Sequence, residues 1–162
     1  MTGALGTAGI VRLIPHRYPI LLLDRVLTVV PGKELTGLKA VTCAEPCFRD
    51  AVEDYRYPPS LLLESWAQAA VVLATWGQPN PDVLVGKLEL AAVLNGARFH
   101  RPAVPGDVIE HHVVLQKQLG ETSVVAGHSL IDGELALEIE QFVLAMRELG
   151  DVLAGAQPAT AT

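Results

Sequence analysis

Ser60, Glu64 and Gln68 fall at i, i+4 and i+8 of PSLLLESWAQAAVVLATW (residues 59–76), a stretch otherwise apolar on nearly every side. In a helix these three share one face. A carboxylate in the first turns of a buried helix has two readings. One is a partner for the helix dipole, worth about 0.3–1 kcal/mol. The other is an acid that lines a pocket and moves a proton. The remaining titratable groups are less focused. Cys43 and Cys47 have CxxxC spacing, but no second pair or nearby histidine completes a zinc set. They read as buried free thiols of a reducing cytoplasm. His111 and His112 are adjacent within an extended run, so their side chains face opposite sides and build no metal cluster with His128. Asp50, Glu53 and Asp54 sit together in RDAVEDYR. Carboxyls with an ordinary value of roughly 4 are poor bases at neutral pH unless burial raises them. They read as a solvated face.

The elements around these residues follow from turn signals. Pro58-Pro59 and Gly77-Gln78-Pro79 bracket the apolar stretch as helix start and stop. The helix then runs roughly 27 Å, enough to cross a small domain. Before it, residues 1–9 read as loose, 10–14 as a short helical turn, and 20–30 and 35–42 as strands paired about Pro31-Gly32. After it, 83–89 reads as extended. Strands are expected over 91–99, 108–119, 122–131 and 134–146, with Asp132-Gly133 as a hairpin turn. The tail from 149 to 162 reads as flexible. The sum is α+β, a single domain over residues 10–148 with an antiparallel sheet wrapped around one long central helix.

The sequence has 162 residues, half of them hydrophobic, and a net charge of −6. Mean hydropathy is +0.33. One core is expected, and the composition implies either that it is large or that part of the surface is shared with a partner. The charge argues against nucleic acid and anionic membranes as partners. MTGALGTAG lacks the charged start and apolar run of a signal peptide, and a cytoplasmic location is expected.

Several motifs, in order and in register, carry a resemblance. LIPHRYPILLLDRVLTVVPGK (13–33), EPCF (45–48), LLLESWAQAA (61–70) and ARFHRPAVPGD (97–107) together span roughly residues 10–147. The chain resembles FabZ-type 3-hydroxyacyl-acyl-carrier-protein dehydratases. That resemblance implies the hot-dog fold, edge-to-edge dimers and an acyl tunnel at the interface. The implied partner is an acyl carrier protein presenting an acyl chain on phosphopantetheine. Neither cofactor nor metal is expected. In the family a histidine in a GHFPG-like loop takes the C2 proton, and the glutamate of the LE-x-x-AQ run assists the leaving C3 oxygen. The two come from different subunits.

By the same resemblance, Glu64 and Gln68 match the family's glutamate and the glutamine after it. The histidine loop has no counterpart, since Asp50 or Ala51 falls where the histidine belongs. Pro59 replaces a family glycine whose N–H can serve the thioester oxygen, and proline has no N–H to give. His16 belongs to a motif that active relatives share and reads as structural. Arg98, His100 and Arg101 are candidates for substrate or carrier binding, with scattered surface charge as the alternative. A homodimer of this chain would have no loop histidine in either site. Three readings follow: a subunit of a heterodimeric dehydratase whose histidine comes from a paralogue, an inactive carrier-binding scaffold, or another hot-dog thioester activity such as a thioesterase or isomerase. A specialised polyketide or polyene route is expected over housekeeping fatty-acid synthesis.

Overall fold

The computed structural model describes residues 3–51, 53–82 and 87–150. Among these residues seven strands form one antiparallel sheet: β1 (Leu5–Gly6), β2 (Arg25–Val30), β3 (Glu34–Ala40), β4 (Lys87–Phe99), β5 (Val108–Leu119), β6 (Thr122–Ile131) and β7 (Glu134–Glu148). Their spatial order is β1-β2-β3-β5-β6-β7-β4. A short helix α1 (Thr7–Ile10) precedes β2, and the long helix α2 (Pro59–Thr75) joins β3 to β4. The sheet curls around α2, whose contacts fall on β3, β5, β6 and β7. This is the hot-dog arrangement expected from the motifs.

Within 1–9, read as loose, Leu5–Gly6 instead pairs with Arg25–Val26 of β2, and α1 begins at Thr7. Ile10 and Ile14 are fully buried, which anchors this segment to the core. The expected strand start at residue 20 moves to Arg25, and Leu22 and Leu23 are buried in the irregular run before it. The cysteines differ from expectation too: both are free, but Cys43 is exposed and Cys47 half-buried. Residues 83–86 of the expected extended segment, and the tail from 151, lie outside the described residues.

Strict alternation along β5 puts Ile109, His111 and Val113 inside and turns Glu110 and His112 outward. His112 stacks on His128 outside, with ring centres 4.7 Å apart. Inside, His111 lies between Ser65 Oγ at 2.9 Å and Ser129 Oγ at 2.8 Å. Ser65 spends its hydroxyl proton on the carbonyl of Leu62, so His111 donates from Nε2 and accepts at Nδ1. Complete burial pushes this imidazole down to about 3. It therefore folds neutral, and its stabilising contribution is lost as pH falls from about 6.5 towards 3.

Trp66, fully buried at the middle of α2, packs edge-on against Phe142 and donates Nε1–H to the carbonyl of His112 at 3.0 Å. Gly127 of β6 makes that approach possible. A Cβ there would lie 1.9 Å from the same carbonyl oxygen. Gly127→Ala is expected to force β5 and β6 apart and cost at least about 1–3 kcal/mol, read as a lowered urea midpoint. An unchanged midpoint would mean the strands yield freely at this point.

Candidate active site

The site grows from Gln68. Its side chain is fully buried, and every polar atom on it is used. Oε1 accepts the N–H groups of Leu22 at 2.8 Å and Leu23 at 3.1 Å. Nε2 donates to the carbonyl of Ile20 at 2.7 Å and to Glu64 Oε1 at 2.8 Å. The residues before β2 make no ladder there, so Gln68 takes the place of a strand neighbour. Removing it strands buried backbone groups. Gln68→Leu is expected to destabilise the fold by about 2–4 kcal/mol in denaturant titration. A loss below about 0.5 kcal/mol would show that water replaces the amide.

The same amide orients Glu64, one turn earlier on α2. Its side chain is 35 % exposed, and its Oε1 lies 3.5 Å from His16 Nε2. His16 is held by its neighbour: the Arg17 guanidinium folds back onto the carbonyls of Val11, Ile14 and His16. Burial holds His16 below the ordinary imidazole value, against the opposing pull of the Glu64 charge. Its Nδ1 is buried with no hydrogen-bond partner among the described residues. His16, read as structural, thus stands at the acid itself.

Glu64, Gln68 and His16 line a cavity of about 270 Å³ whose other walls include Pro15, Val71, Ala91, Phe142 and Leu144. Glu89 of β4 joins them. Both of its carboxyl oxygens are buried without a partner among the described residues, and desolvation pushes the group up to about 8. Sequence reasoning missed this residue. The available signal was the period-2 register of KLELA, which puts Glu89 and Ala91 on one face, but nothing in the sequence says which face is inward.

A second group gathers at the start of α2. Pro59, Leu62, Tyr57, Phe99, His100 and Arg101 line a groove of about 490 Å³. Pro58 leads into the helix and Pro59 opens it, so the first turn offers no N–H at residue 59. His100 lies 3.6 Å from Glu138. Arg101 donates to the carbonyl of Ile131 and faces Asp107, Asp132 and Glu134. Arg98 is paired with Glu138 and Glu140 on β7. The expected basic rim is thus already met by carboxylates of this chain.

Asp50 and Ala51 line neither cavity. Ala51 closes a turn on the carbonyl of Phe48, and Asp50 is exposed. Of the neighbouring acids, Asp54 moves the wrong way for a base. Its hydrogen bonds to Arg56 hold it down to about 2. Among the described residues no group of histidine, cysteine and carboxylate side chains could hold a metal ion. No helix there is long and apolar enough to cross a membrane.

Residues 14–140 match the profile of the FabA-like domain. A 3-hydroxyacyl-[acyl-carrier-protein] dehydratase FabZ of Psychromonas ingrahamii is 42% identical over 146 residues, covering 86% of this chain and 92% of that protein. The FabZ of Magnetococcus marinus is 36% identical, covering 90% and 93%. Among solved structures, the dehydratase heterocomplex ApeI:P from Xenorhabdus doucetiae superposes with a TM-score of 0.77 at 16% identity, over 92% of this chain and 97% of that one. An uncharacterised protein from Pyrococcus horikoshii gives 0.60 at 14% identity, over 82% and 94%.

Proposed function

The chain belongs to the FabA-like family, among its FabZ-type dehydratases, and from that premise we propose that it is one subunit of a heterodimeric 3-hydroxyacyl-acyl-carrier-protein dehydratase. It supplies Glu64, and a paralogous subunit supplies the histidine. One observation carries this reading. Glu64 keeps a half-open position in a cavity, braced by Gln68, while the segment that aligns with the histidine loop holds Asp50 and Ala51 in place of a histidine. An acid kept in working order without its base fits a site divided between two chains. The likeness in fold to a chain of a solved dehydratase heterocomplex supports a heteromeric assembly.

The chemistry assigns each part a task. The partner's histidine removes a proton from C2 of the 3-hydroxyacyl thioester. Glu64 gives a proton to the C3 hydroxyl, which leaves as water as the double bond forms. Gln68 and His16 both engage Glu64 at Oε1, which leaves Oε2 for the substrate. β4 lies at the sheet edge and exposes Leu90, Val93, Leu94 and Phe99. An apolar edge of this length, unpaired among the described residues, favours strand-to-strand association with the partner. The groove at Pro59, His100 and Arg101 is the candidate approach for the carrier's pantetheine arm. The substrate class fits a specialised polyketide or polyene route in the cytoplasm.

Reconstitution tests the reading. The purified chain alone is expected to leave a 3-hydroxyacyl-carrier thioester unchanged, and co-expression with a histidine-bearing FabZ-type homologue from the same genome to yield the 2-enoyl product. Robust dehydration by the isolated chain would show a base within it. Thioester hydrolysis without dehydration would move the protein to another hot-dog activity.

A further inference from the structure

Glu89 has no task in the reaction above. Its backbone is placed in the β4–β7 ladder opposite Met146, so only the side chain needs an explanation. Lys87, the nearest cation along the strand, is engaged by Glu121 and Glu148. Glu64 and His16, the titratable groups facing Glu89 across the cavity, are engaged with each other. Buried polar atoms in folded proteins almost always have partners, and a carboxyl with two orphaned oxygens on a cavity wall points to a partner that arrives with the occupant.

The position narrows what the occupant is. Glu89 borders two spaces. One is the cavity of Glu64, and the other, of about 560 Å³, continues past Leu73 and Leu144 towards Gln118 and Ser123. A chain that reaches from the first space into the second passes the carboxyl. A plain alkyl chain would press methylenes against two unsatisfied oxygens. A chain with an oxygen at that depth would meet a group that, as a neutral acid, can both donate and accept. Sites built to bond a hydroxyl reject the analogue that lacks it, because the polar group of the site is left unpaired.

We propose that Glu89 is a specificity-determining residue that selects acyl chains bearing a hydroxyl or carbonyl oxygen beyond the reacting carbons. The inference rests on the reading of the Glu64 cavity as an acyl-thioester site, and the test separates the two. The probes are pantetheine amides, which resist turnover: octanoyl pantetheine amide and a series with one hydroxyl at each carbon beyond C3. Binding to the reconstituted complex is followed by calorimetry, with each substitution made in this chain alone. At least one hydroxylated amide is expected to bind about tenfold more tightly than the plain one. That preference should vanish in Glu89→Leu and persist in Glu89→Gln. Where Glu89→Leu does not fold, Glu89→Met gives the same removal of oxygens at similar length. Equal binding of plain and hydroxylated amides overturns the selector role and leaves the acyl site standing. Failure of every amide to bind overturns both. A hydroxyl preference that survives Glu89→Leu or Glu89→Met places the selecting group elsewhere and sinks the inference.

Discussion

Glu64→Gln in the reconstituted complex is expected to lower dehydration by about 10²–10⁴-fold while the two subunits still purify together. The amide keeps the shape of the carboxyl and its place beside Gln68, so packing around α2 should change little. What it removes is the proton that the leaving oxygen needs. The fall should appear in kcat at saturating substrate more than in KM, because the lost interaction forms as the C–O bond breaks. The companion measurement is the urea midpoint of the variant, which should stay within about 0.5 kcal/mol of the parent. Normal turnover by the substituted complex would leave this chain as a scaffold for an active partner. Loss of turnover together with loss of assembly would instead make Glu64 a residue of the fold.

Glu89 gives the second large effect, and it acts through pH. The folded chain holds this carboxyl's proton up to about 8, whereas the unfolded chain releases it near the ordinary value of 4.5. Between those values the native state binds more protons than the unfolded one, so stability is full below about pH 4.5 and is lost as pH rises through about 8. The loss from this group is on the order of 4 kcal/mol. Glu89→Gln, which cannot ionise, should match the parent near pH 4.5 and become progressively more stable than it towards pH 8. Urea denaturation at a series of pH values reads the divergence directly. Parallel curves for the two proteins would mean that the carboxyl ionises freely in the folded state. His111 works in the opposite sense at the acid end, so the parent should be most stable between the two limbs.

The two acids show how unevenly the site was legible. Glu64 stood out because an isolated carboxylate interrupts an apolar helix at the spacing of Ser60 and Gln68, and the motifs around it are local in sequence. Helical periodicity placed all three on one face before any contact was known. The strands after α2 were equally open to reading. Long alternating runs bounded by Gly120-Glu121 and Asp132-Gly133 leave few choices of register, and β5 and β6 begin and end where the turn signals put them. The start of β2 was harder. Residues 20–23 are as apolar as a strand, but Gln68, far off in sequence, takes backbone groups of Ile20, Leu22 and Leu23 and holds them out of the ladder.

Sequence by itself determined the helix, the antiparallel strands and the family, because each depends on residue type at short spacing. Only the tertiary structure decided that Arg98, His100 and Arg101 face carboxylates rather than empty solvent, that His16 stands against Glu64, and that Glu89 turns its carboxyl to a cavity where no described residue bonds it. Those outcomes depend on which distant strand lies alongside and which way its pleat is turned. A carboxyl reads the same in sequence on either face of a strand. Its environment, and with it its protonation state, is set by the fold that closes over it.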